Sequence, residues 1–234
     1  MKVRLLSHSQ PVRYVHAGET GVMGLENIQD LIAYCARVSN PNNQANTKTT
    51  QKLLGYLMKH KHWSPFEMAS ACLEVETTRD IARQFLRHRS FSFQEFSQRY
   101  ADPNDMNSAF VVREARLQDE TNRQNSIPND DVGLDAWWDA QQKFIIEHVG
   151  RIYKEARDKG IAKEQARVIL PEGNTVSKMY VNGTIRSWIH YIELRSANGT
   201  QQEHQDIAIE IAKALSKIYP QILEFSNDRT DTKK

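Results

Sequence analysis

The chain has 234 residues, of which 39% are hydrophobic and 26% are charged, a composition typical of a globular protein with a sizeable core. Its 31 basic and 29 acidic residues leave a formal net charge of +2, so the overall charge does not call for a nucleic-acid partner. The longest unbroken apolar run, residues 31–36, is too short to span a membrane and the N-terminus lacks a signal-peptide core, so we expect a soluble cytoplasmic protein with no membrane partner.

Hydrophobic periodicity predicts five elements before residue 90: a strand at 2–6, a helix at about 25–37, a helix around 53–58, a strand at 69–77 and a short helix at 78–89. In the strand at 69–77, Ala71, Leu73 and Val75 alternate with polar residues, as in a strand buried on one face. The helix that follows is predicted to carry Arg87-His88-Arg89 at its C-terminal end.

Beyond residue 100 the pattern predicts helices. Residues 101–135 read as a long polar surface excursion with one short strand near 110–112. A long helix follows, with a stripe through Trp138, Ile145 and Ile152, and ends at Gly160; two more helices are predicted at about 184–196 and 203–225. We therefore expect one α+β domain over 1–234, with a mixed sheet flanked by helices and a polar tail after about 226.

The densest chemical signal is the segment 87–100, RHRSFSFQEFSQRY, which holds three arginines, a histidine and a glutamate. Arg83 adds another cation one helical turn before Arg87, and like charges at this spacing repel each other. Because arginine forks match phosphate oxygens, a bound anion would explain the cluster. A solvated basic helix end, favoured by the helix dipole, would explain it equally well, so composition alone leaves both interpretations open.

Two further segments carry weaker signals. The segment 164–171, EQARVILP, is a charged helix end followed by apolar residues, a pattern that is more often structural than chemical. Arg195 lies at the edge of an apolar helix stripe beside Trp188 and Tyr191, where a cation must either snorkel to solvent or meet an anion.

Other common catalytic devices are not indicated. His60 and His62 followed by Glu67 could begin a zinc or iron site, but no further ligand follows at a supporting spacing, so we expect no metal. The sequence contains neither a glycine-rich phosphate loop nor a G-x-S-x-G elbow. Cys35 and Cys72 lack the surroundings of an activated nucleophile and fit a reducing compartment.

The segment 87–100 resembles the signature of flavin-dependent thymidylate synthases, which is R-H-R, seven residues, then serine, with arginine and tyrosine close behind. Ser97 closes the spacer here, and Arg99 and Tyr100 follow. Other elements similar to the family's occur in the same order: A-R-V-S at 36–39, H-x-[ST]-P-F-E at 62–67, Q-A-R-x-x-L-P at 165–171 and L-R at 194–195. The resemblance spans about residues 30–210 and implies a catalytic domain of that family's α+β fold.

The resemblance also implies roles for matching residues. The dUMP-binding set would be Gln84, Phe85, Leu86, Arg87, Glu95, Phe96, Ser97, Gln98, Arg99, Arg167 and Arg195. The FAD-binding set would be His62, Ser64, Arg87, His88, Arg89, Glu95, Thr184, Ile185, Arg186 and His190. Arg195 would be the catalytic residue, placed against the uracil ring to favour ionisation at N3, a task that suits a permanently charged side chain.

The same resemblance implies reductive methylation of dUMP to dTMP, with 5,10-methylenetetrahydrofolate as the carbon donor and NADPH as the reductant of FAD, in a homotetramer whose active sites lie between subunits. Three positions depart from the family pattern. Thr184 and His190 stand where asparagines are usual, and Gly199 stands where a histidine is usual. These departures weaken the flavin assignments near residues 184–199 more than the dUMP assignments.

Two alternatives remain at this stage. The arginines and aromatic rings of 83–100 would also suit a single-stranded nucleic-acid-binding protein, in which bases stack on exposed rings. The balanced overall charge and the absence of a known binding module argue against that alternative, and we expect no nucleic-acid partner. A structural homologue without catalytic activity is the third possibility.

Overall fold

The structure is a computed structural model that describes residues 1–12, 15–16, 22–102 and 109–227. Its strands are β1 (Lys2–His8), β2 (Val15–His16), β3 (Val22–Met23), β4 (Ser70–Thr78), β5 (Ser92–Glu95), β6 (Arg116–Gln118), β7 (Ser126–Pro128) and β8 (Val176–Thr184). Its helices are α1 (Ile28–Ala36), α2 (Thr50–Lys59), α3 (Arg79–Phe85), α4 (Val132–Asp158), α5 (Lys163–Ala166), α6 (Ile185–Arg195) and α7 (Gln202–Ser216). Short 3₁₀ turns occur at Pro41–Asn43, Ser64–Met68, Arg167–Ile169 and Pro220–Phe225. The predicted polar tail lies mostly outside the described residues.

A four-stranded sheet in the order β1-β4-β8-β5 forms the centre of the fold. The predicted α+β class is confirmed, but all three strand pairings are antiparallel, so the expectation of a mixed sheet is wrong in strand direction. The alternation predicted for β4 is also confirmed, because Ala71, Leu73 and Val75 are buried. On the opposite face Glu74 and Glu76 pair with lysine and arginine side chains of β1 and β8.

The sequence pattern did not reveal β8, although this strand pairs with both β4 and β5. Lys178 and Asn182 occupy outward positions of β8, and Gly183 interrupts its apolar face. Because lysine, asparagine and glycine are poor strand formers, the strand signal in this segment is weak. Gly183 has a packing reason, because a Cβ at this position would overlap the ring of Phe91. The glycine thereby lets Phe91 pack against the sheet.

Two predicted helices are shorter in the structure. The helix predicted at 78–89 ends at Phe85, so Arg87-His88-Arg89 form a turn beyond the helix. The helix predicted at 203–225 ends at Ser216 and is followed by the separate turn Pro220–Phe225, because proline cannot donate to a continuing helix. The long helix α4 begins at the N-cap Asp131, and Gly160, with a φ of 84°, follows its end.

The main core lies between one face of the sheet and the helices α1, α2, α3, α6 and α7. Trp188, Phe85 and Tyr191 are among its fully buried side chains, and the indole Nε1 of Trp188 donates to the carbonyl oxygen of Ala71 at 3.1 Å. Since Phe85 and Tyr191 belong to the helices that end at the R-H-R turn and at Arg195, the core fixes both positions relative to each other.

Helix α4 stands outside this main core. It packs through a small separate cluster of Tyr153, Ala166 and Leu170. The stripe predicted from the sequence is largely open, since Trp138, Ile145 and Ile152 are 38%, 48% and 37% exposed. Two excursion strands that the sequence pattern did not predict, β6 and β7, pair as a hairpin before α4. No helix in the described part of the chain is long and apolar enough to cross a membrane.

Candidate functional site

The R-H-R turn presents two cations without acidic partners. The amides of Arg87 and His88 bond back to the carbonyl oxygens of Gln84 and Phe85 at 3.4 and 3.0 Å, which fixes the turn to the end of α3. Arg87 and Arg89 are exposed, and neither guanidinium pairs with a carboxylate among residues 1–12, 15–16, 22–102 and 109–227. Unpaired arginines side by side are suited to an anionic ligand.

Arg83 has a different role from the one its spacing suggested. Its guanidinium forms a two-point ion pair with Glu172 at 2.5 and 2.8 Å, and Arg79 lies 3.6 Å from the same carboxylate. The hydrogen bond from Arg83 lowers the pKa of Glu172, which keeps that carboxylate charged. At Arg83 the expected anion is therefore the carboxylate of Glu172 and not a ligand.

The Arg195 guanidinium is not simply solvated, and it has no acidic partner among the described residues. Its Nε donates to Nε2 of His88 at 2.8 Å. Burial, together with the charge of Arg195, lowers the pKa of His88 to about 4. At neutral pH His88 is therefore an uncharged acceptor that carries its proton on Nδ1. The remaining N–H groups of the Arg195 guanidinium have no acceptor among the described residues and can reach a ligand.

A buried polar chain lies behind the turn. His204, on the first turn of α7, is fully buried; its Nδ1 is 3.1 Å from Oε1 of Gln84 and its Nε2 is 3.0 Å from the hydroxyl of Tyr191. Burial, then the charge of Arg195, lower the pKa of His204 to about 3, and burial raises the pKa of Tyr191. Tyr191 stacks on Phe85 at a ring distance of 4.4 Å, so this chain is tied to the core.

The end of the motif docks on the Q-A-R element. Arg99 lies 3.5 Å from the carboxylate of Glu164, and Nζ of Lys163 donates to the carbonyl oxygen of Tyr100 at 2.9 Å. Arg167 follows Glu164 by less than one helical turn and has no acidic partner in the described part of the chain. The structure thus brings the segments that carry Arg99 and Arg167 to one surface.

The predicted flavin loop packs against the start of α6. Trp63, between His62 and Ser64, contacts His190 edge-on at a ring distance of 4.9 Å, and Glu67 forms an ion pair with Arg186. His62 and Ser64 are exposed beside these contacts. The Ser187 hydroxyl donates to the carbonyl oxygen of Ser90 at 3.3 Å, which links α6 to the R-H-R turn. The loop 62–67 and the R-H-R turn therefore both meet α6.

Some predicted side chains are already engaged. Thr184 caps α6, where its hydroxyl oxygen accepts from the amide of Ser187 at 3.2 Å. Glu95 accepts from the Ser177 hydroxyl at 2.7 Å and lies 3.6 Å from Arg79. Phe85 and Ile185 are fully buried, so neither presents a surface to a ligand in this structure. The predicted ligand contacts of these four residues stay predictions.

The other members of the predicted set differ in exposure. Gln98 is buried, and its Nε2 has no hydrogen-bond partner among the described residues. Leu86, Phe96 and Ser97 are half-buried on the same segment. An unpartnered buried amide nitrogen leaves Gln98 with a free donor, which fits its place in the predicted dUMP-binding set.

The candidate metal ligands do not converge. His60 packs on Tyr56 at a ring distance of 4.3 Å, and Glu67 is paired with Arg186. Across the described ranges, no three histidine, cysteine or carboxylate side chains are grouped as a metal site would require.

One cavity is lined by residues outside the segment 87–100. It has a volume of about 840 Å³ between the β6–β7 hairpin, the start of α4 and the loop before α7. Its walls include Arg113 and Arg116, which are paired with Asp80 and Glu203. Arg123 also lines this cavity and has no acidic partner in the described part of the chain, so unpaired cations alone do not decide between the two places. The R-H-R turn is distinguished by the contact of His88 with Arg195.

His204, Gln201 and Glu203 do not stand out in the sequence pattern. Gln201 accepts from Nε2 of Gln84 at 2.8 Å and donates to Glu203 at 2.9 Å. A signal for His204 was available, because it lies four residues before Ala208 on the apolar stripe of the last helix. A histidine at such a position is more often a packed core residue than a functional one, so the signal is weak.

The nucleic-acid alternative is not supported. The aromatic rings it requires are only partly available: Phe91 is buried against Trp188 at a ring distance of 4.5 Å, and Phe93 and Phe96 are half-buried, whereas Tyr100 is exposed. Phe85 is fully buried as well. Buried rings cannot stack on bases, so the aromatic residues between 85 and 91 form part of the core.

Known proteins resemble this chain over nearly its whole length. A family model described as "Thymidylate synthase complementing protein" matches residues 22–221. A probable flavin-dependent thymidylate synthase of Paramecium bursaria Chlorella virus 1 is 48% identical over 225 residues, covering 95% of this chain and 97% of that protein. A flavin-dependent thymidylate synthase of Synechocystis is 45% identical over 222 residues, with coverages of 95% and 97%.

A solved structure supports the same relationship. The crystal structure of a UMP/dUMP methylase, PolB from Streptomyces cacaoi bound with 5-Br dUMP, superposes with a TM-score of 0.75 and 26% sequence identity. The match covers 96% of this chain and 93% of PolB.

Proposed function

The chain belongs to the flavin-dependent thymidylate synthase family, and from that premise we propose that the R-H-R turn, α6 and the Arg99–Arg167 surface form its active site. It is an FAD-dependent methyltransferase that converts dUMP to dTMP. The observation that carries the site assignment is Arg195 held on a neutral His88 beside two unpaired arginines. The functional roles of individual residues below belong to this proposal.

The nucleotide phosphate binds at Arg99 and Arg167. Arg167 is unpaired, and Arg99 is held by an exposed contact with Glu164 that a phosphate can replace at small cost. The fixed fork of each guanidinium matches phosphate oxygens. Residues from Gln84 to Arg87 and from Glu95 to Gln98 surround the rest of dUMP, and the fully buried Phe85 holds its neighbours in place from within the core.

FAD binds at the R-H-R turn and the loop around Ser64. The residues fit a dinucleotide, because Arg87 and Arg89 offer unneutralised cations to phosphates and His88 offers an uncharged ring. His62, Ser64, Arg186 and His190 lie together on the same side of α6. When bound, FAD supplies the hydride that completes the methyl group, after its reduction by NADPH, with the carbon from 5,10-methylenetetrahydrofolate.

Arg195 stabilises negative charge on the pyrimidine ring. An arginine stays protonated throughout the physiological range, and its free N–H groups can bond to the oxygen and nitrogen atoms that become anionic when N3 ionises. His88 orients this guanidinium through the 2.8 Å bond to Nε. With a pKa of about 4, His88 is an acceptor rather than a proton donor at neutral pH.

No thiolate is required by this mechanism. Cys35 and Cys72 are free thiols, and burial raises the pKa of each, which disfavours the nucleophilic form. Free thiols also support our proposal that the enzyme works in the cytoplasm. The test is dTMP formation in a single turnover with pre-reduced enzyme. A Cys35→Ala, Cys72→Ala double variant is expected to stay within about a few-fold of wild type, since it loses only weak packing; a folded but inactive variant would overturn the mechanism.

The active form is a homotetramer whose sites lie between subunits. The exposed side chains on α4 support this assembly: Trp137, Trp138, Phe144 and Ile145 are large apolar residues left open to solvent, and exposed apolar patches commonly mark protein interfaces. We expect a single tetrameric species in sedimentation velocity, with a Phe144→Glu variant shifted to smaller species. A monomer with full activity would contradict this part of the proposal.

Flavin binding gives the direct test of the site. The purified enzyme is expected to be yellow, to hold one FAD per subunit and to bind FAD more tightly than FMN, because the arginines of the turn meet a dinucleotide's phosphates. Arg89→Ala is expected to lower FAD affinity, whereas Arg83→Ala, which removes a cation already paired with Glu172, is the matched control. Equal effects of the two changes would remove the turn from the flavin site.

A further inference from the structure

A continuous hydrogen-bond chain runs from a carboxylate to the candidate dUMP site. Glu203 accepts from Nε2 of Gln201 at 2.9 Å, and Oε1 of Gln201 is 2.8 Å from Nε2 of Gln84. Oε1 of Gln84 is 3.1 Å from Nδ1 of His204, whose Nε2 is 3.0 Å from the Tyr191 hydroxyl. The five side chains come from α3, α6, α7 and the residue before α7.

The carboxylate sets the direction of every bond. Although burial opposes it, a backbone hydrogen bond and the charges of Arg113 and Arg116 lower the pKa of Glu203, so this end of the chain only accepts. Gln201 must then turn its NH₂ group to Glu203 and its oxygen to Gln84. A flipped Gln201 would place two acceptor oxygens 2.9 Å apart, which is repulsive.

The direction propagates to the histidine. Gln84 donates one N–H to Gln201, so its oxygen faces His204, and Nδ1 of His204 must carry the proton. Nε2 of His204 is then bare and accepts from the Tyr191 hydroxyl. Burial, with the charge of Arg195, lowers the pKa of His204 to about 3, so the ring stays neutral and this arrangement does not change near neutral pH.

We propose that His204 is a positioning residue that locks the side-chain amide of Gln84 with its carbonyl turned inward, so that Gln84 presents an N–H donor to an acceptor oxygen of dUMP. The second N–H of Gln84 has no acceptor in the described part of the chain. Gln84 lies at the end of α3, and its backbone carbonyl accepts from Arg87, so the residue adjoins the R-H-R turn. The inference rests on the proposed role of Gln84 in binding dUMP.

The histidine is well placed for such a role because it cannot move. It is fully buried, its ring lies nearly parallel to Phe85 at 5.9 Å, and it is bonded at both nitrogens. A fixed donor removes the alternative amide orientation, which would turn a carbonyl oxygen toward an oxygen of the nucleotide. Preorganising one donor in this way lowers the cost of binding.

The test compares two polar replacements at residue 204 in FAD-loaded enzyme, with the Kd of dUMP measured by calorimetry. The amide nitrogen of asparagine overlies Nδ1 of histidine, whereas that of glutamine overlies Nε2. His204→Asn keeps a donor toward Gln84 and is expected to hold the Kd near the wild-type value. His204→Gln directs its amide to Tyr191 and is expected to raise the Kd about tenfold, the scale of one hydrogen bond.

Additivity separates positioning from a general loss of stability. Gln84→Ala is expected to raise the Kd at least as much as His204→Gln, and the double variant is expected to match Gln84→Ala within about twofold, because the histidine acts only through the glutamine. Thr50→Val, which removes a buried 2.9 Å bond to Asp30 outside the site, controls for destabilisation and is expected to leave the Kd unchanged.

The outcomes distinguish the positioning role of His204 from the role of Gln84 as a dUMP ligand. Equal dUMP affinities of His204→Asn and His204→Gln, with Gln84→Ala still impaired, would reject the positioning role and leave the proposed dUMP site intact. An unchanged Kd in Gln84→Ala would reject Gln84 as a dUMP ligand, and the role of His204 with it. If His204→Gln lowered kcat without changing the Kd of dUMP, that result would also count against a role of His204 in positioning the substrate.

Discussion

Two groups of arginines in this protein have opposite electrostatic surroundings. Arg79, Arg83, Arg113 and Arg116 are each paired with a carboxylate of Asp80, Glu95, Glu114, Glu172 or Glu203. In contrast, Arg87 and Arg89 have no acidic partner among the described residues, and Arg195 is bonded to an uncharged histidine. The first group joins α3, the excursion and α7 to one another; the second group is available to ligands.

The difference shows why counting cations does not locate a site. Arg83 and Arg87 are separated by one helical turn and have the same chemistry, yet the first is neutralised by a residue 89 positions away and the second is not. A paired arginine contributes to stability, whereas an unpaired one has charge left for a phosphate or a developing anion. Single substitutions in the two groups test whether this division into structural and ligand-binding arginines is correct.

The largest effect is expected at Arg195. Arg195→Ala is expected to lower single-turnover dTMP formation at least about a hundredfold, the scale of removing one transition-state donor, while FAD binding is retained. Arg195→Lys is expected to rescue poorly, since an ammonium group lacks the planar fork that bonds both His88 and the pyrimidine. Rapid-quench measurements on pre-reduced enzyme test this. Near-normal rates in Arg195→Ala would place Arg195 with the structural group.

A smaller loss is expected at the phosphate surface. Arg167→Ala removes a charge-assisted contact, so the Kd of dUMP is expected to rise about tenfold to a hundredfold. Arg99→Ala is expected to act in the same direction but less strongly, because the free enzyme already pairs Arg99 with Glu164. Arg83→Ala is the matched control and should leave the Kd unchanged. If Arg83→Ala weakened dUMP binding as much as Arg167→Ala, the division would be wrong.

The structural group should affect stability instead. Arg113 bonds both carboxylate oxygens of Asp80 at 2.7 and 2.9 Å and the Thr78 hydroxyl at 2.6 Å, and all three side chains are partly shielded from solvent. Arg113→Ala is expected to lower the free energy of unfolding by about 2 kcal/mol, whereas loss of the exposed Arg83–Glu172 pair should cost less than about 1 kcal/mol. Urea denaturation at one fixed protein concentration measures both; the reverse order would contradict this assignment.

The neutral histidines beside Arg195 give a pH-dependent prediction. The folded pKa values of His88 and His204, about 4 and about 3, lie below the usual 6.5. As the pH falls, the unfolded chain therefore takes up protons on these histidines before the folded chain does. Their contribution to stability is therefore complete above about pH 6.5 and is lost as the pH falls toward 4. We expect His204→Asn, which removes one of these groups, to show a shallower decline in unfolding midpoint between pH 7 and pH 4 than wild type does. Identical slopes would mean that His204 is not held neutral.

Several features could be predicted from residues alone, because they depend on local pattern. The alternation in β4, the periodicity of α1 and α6, and the R-H-R motif are all carried by residues close together in the chain. The motif and its companion elements identified the family, which the comparisons confirm over residues 22–221. The predicted fold class is likewise confirmed. Local sequence could not reveal β8, whose strand character comes from its two neighbours rather than from its own residues.

The sequence by itself therefore determined the fold class, through its periodicity, and the family and candidate residues, through the resemblance of its motifs to those of a known family. Only the tertiary structure decided which charges are neutralised and which remain available, because the deciding contacts join distant residues. Arg83 and Glu172 are 89 positions apart, His88 and Arg195 are 107 apart, and Gln84 and His204 are 120 apart. A charge or a hydrogen bond depends on distance in space, and that distance is set by how the helices pack on the sheet.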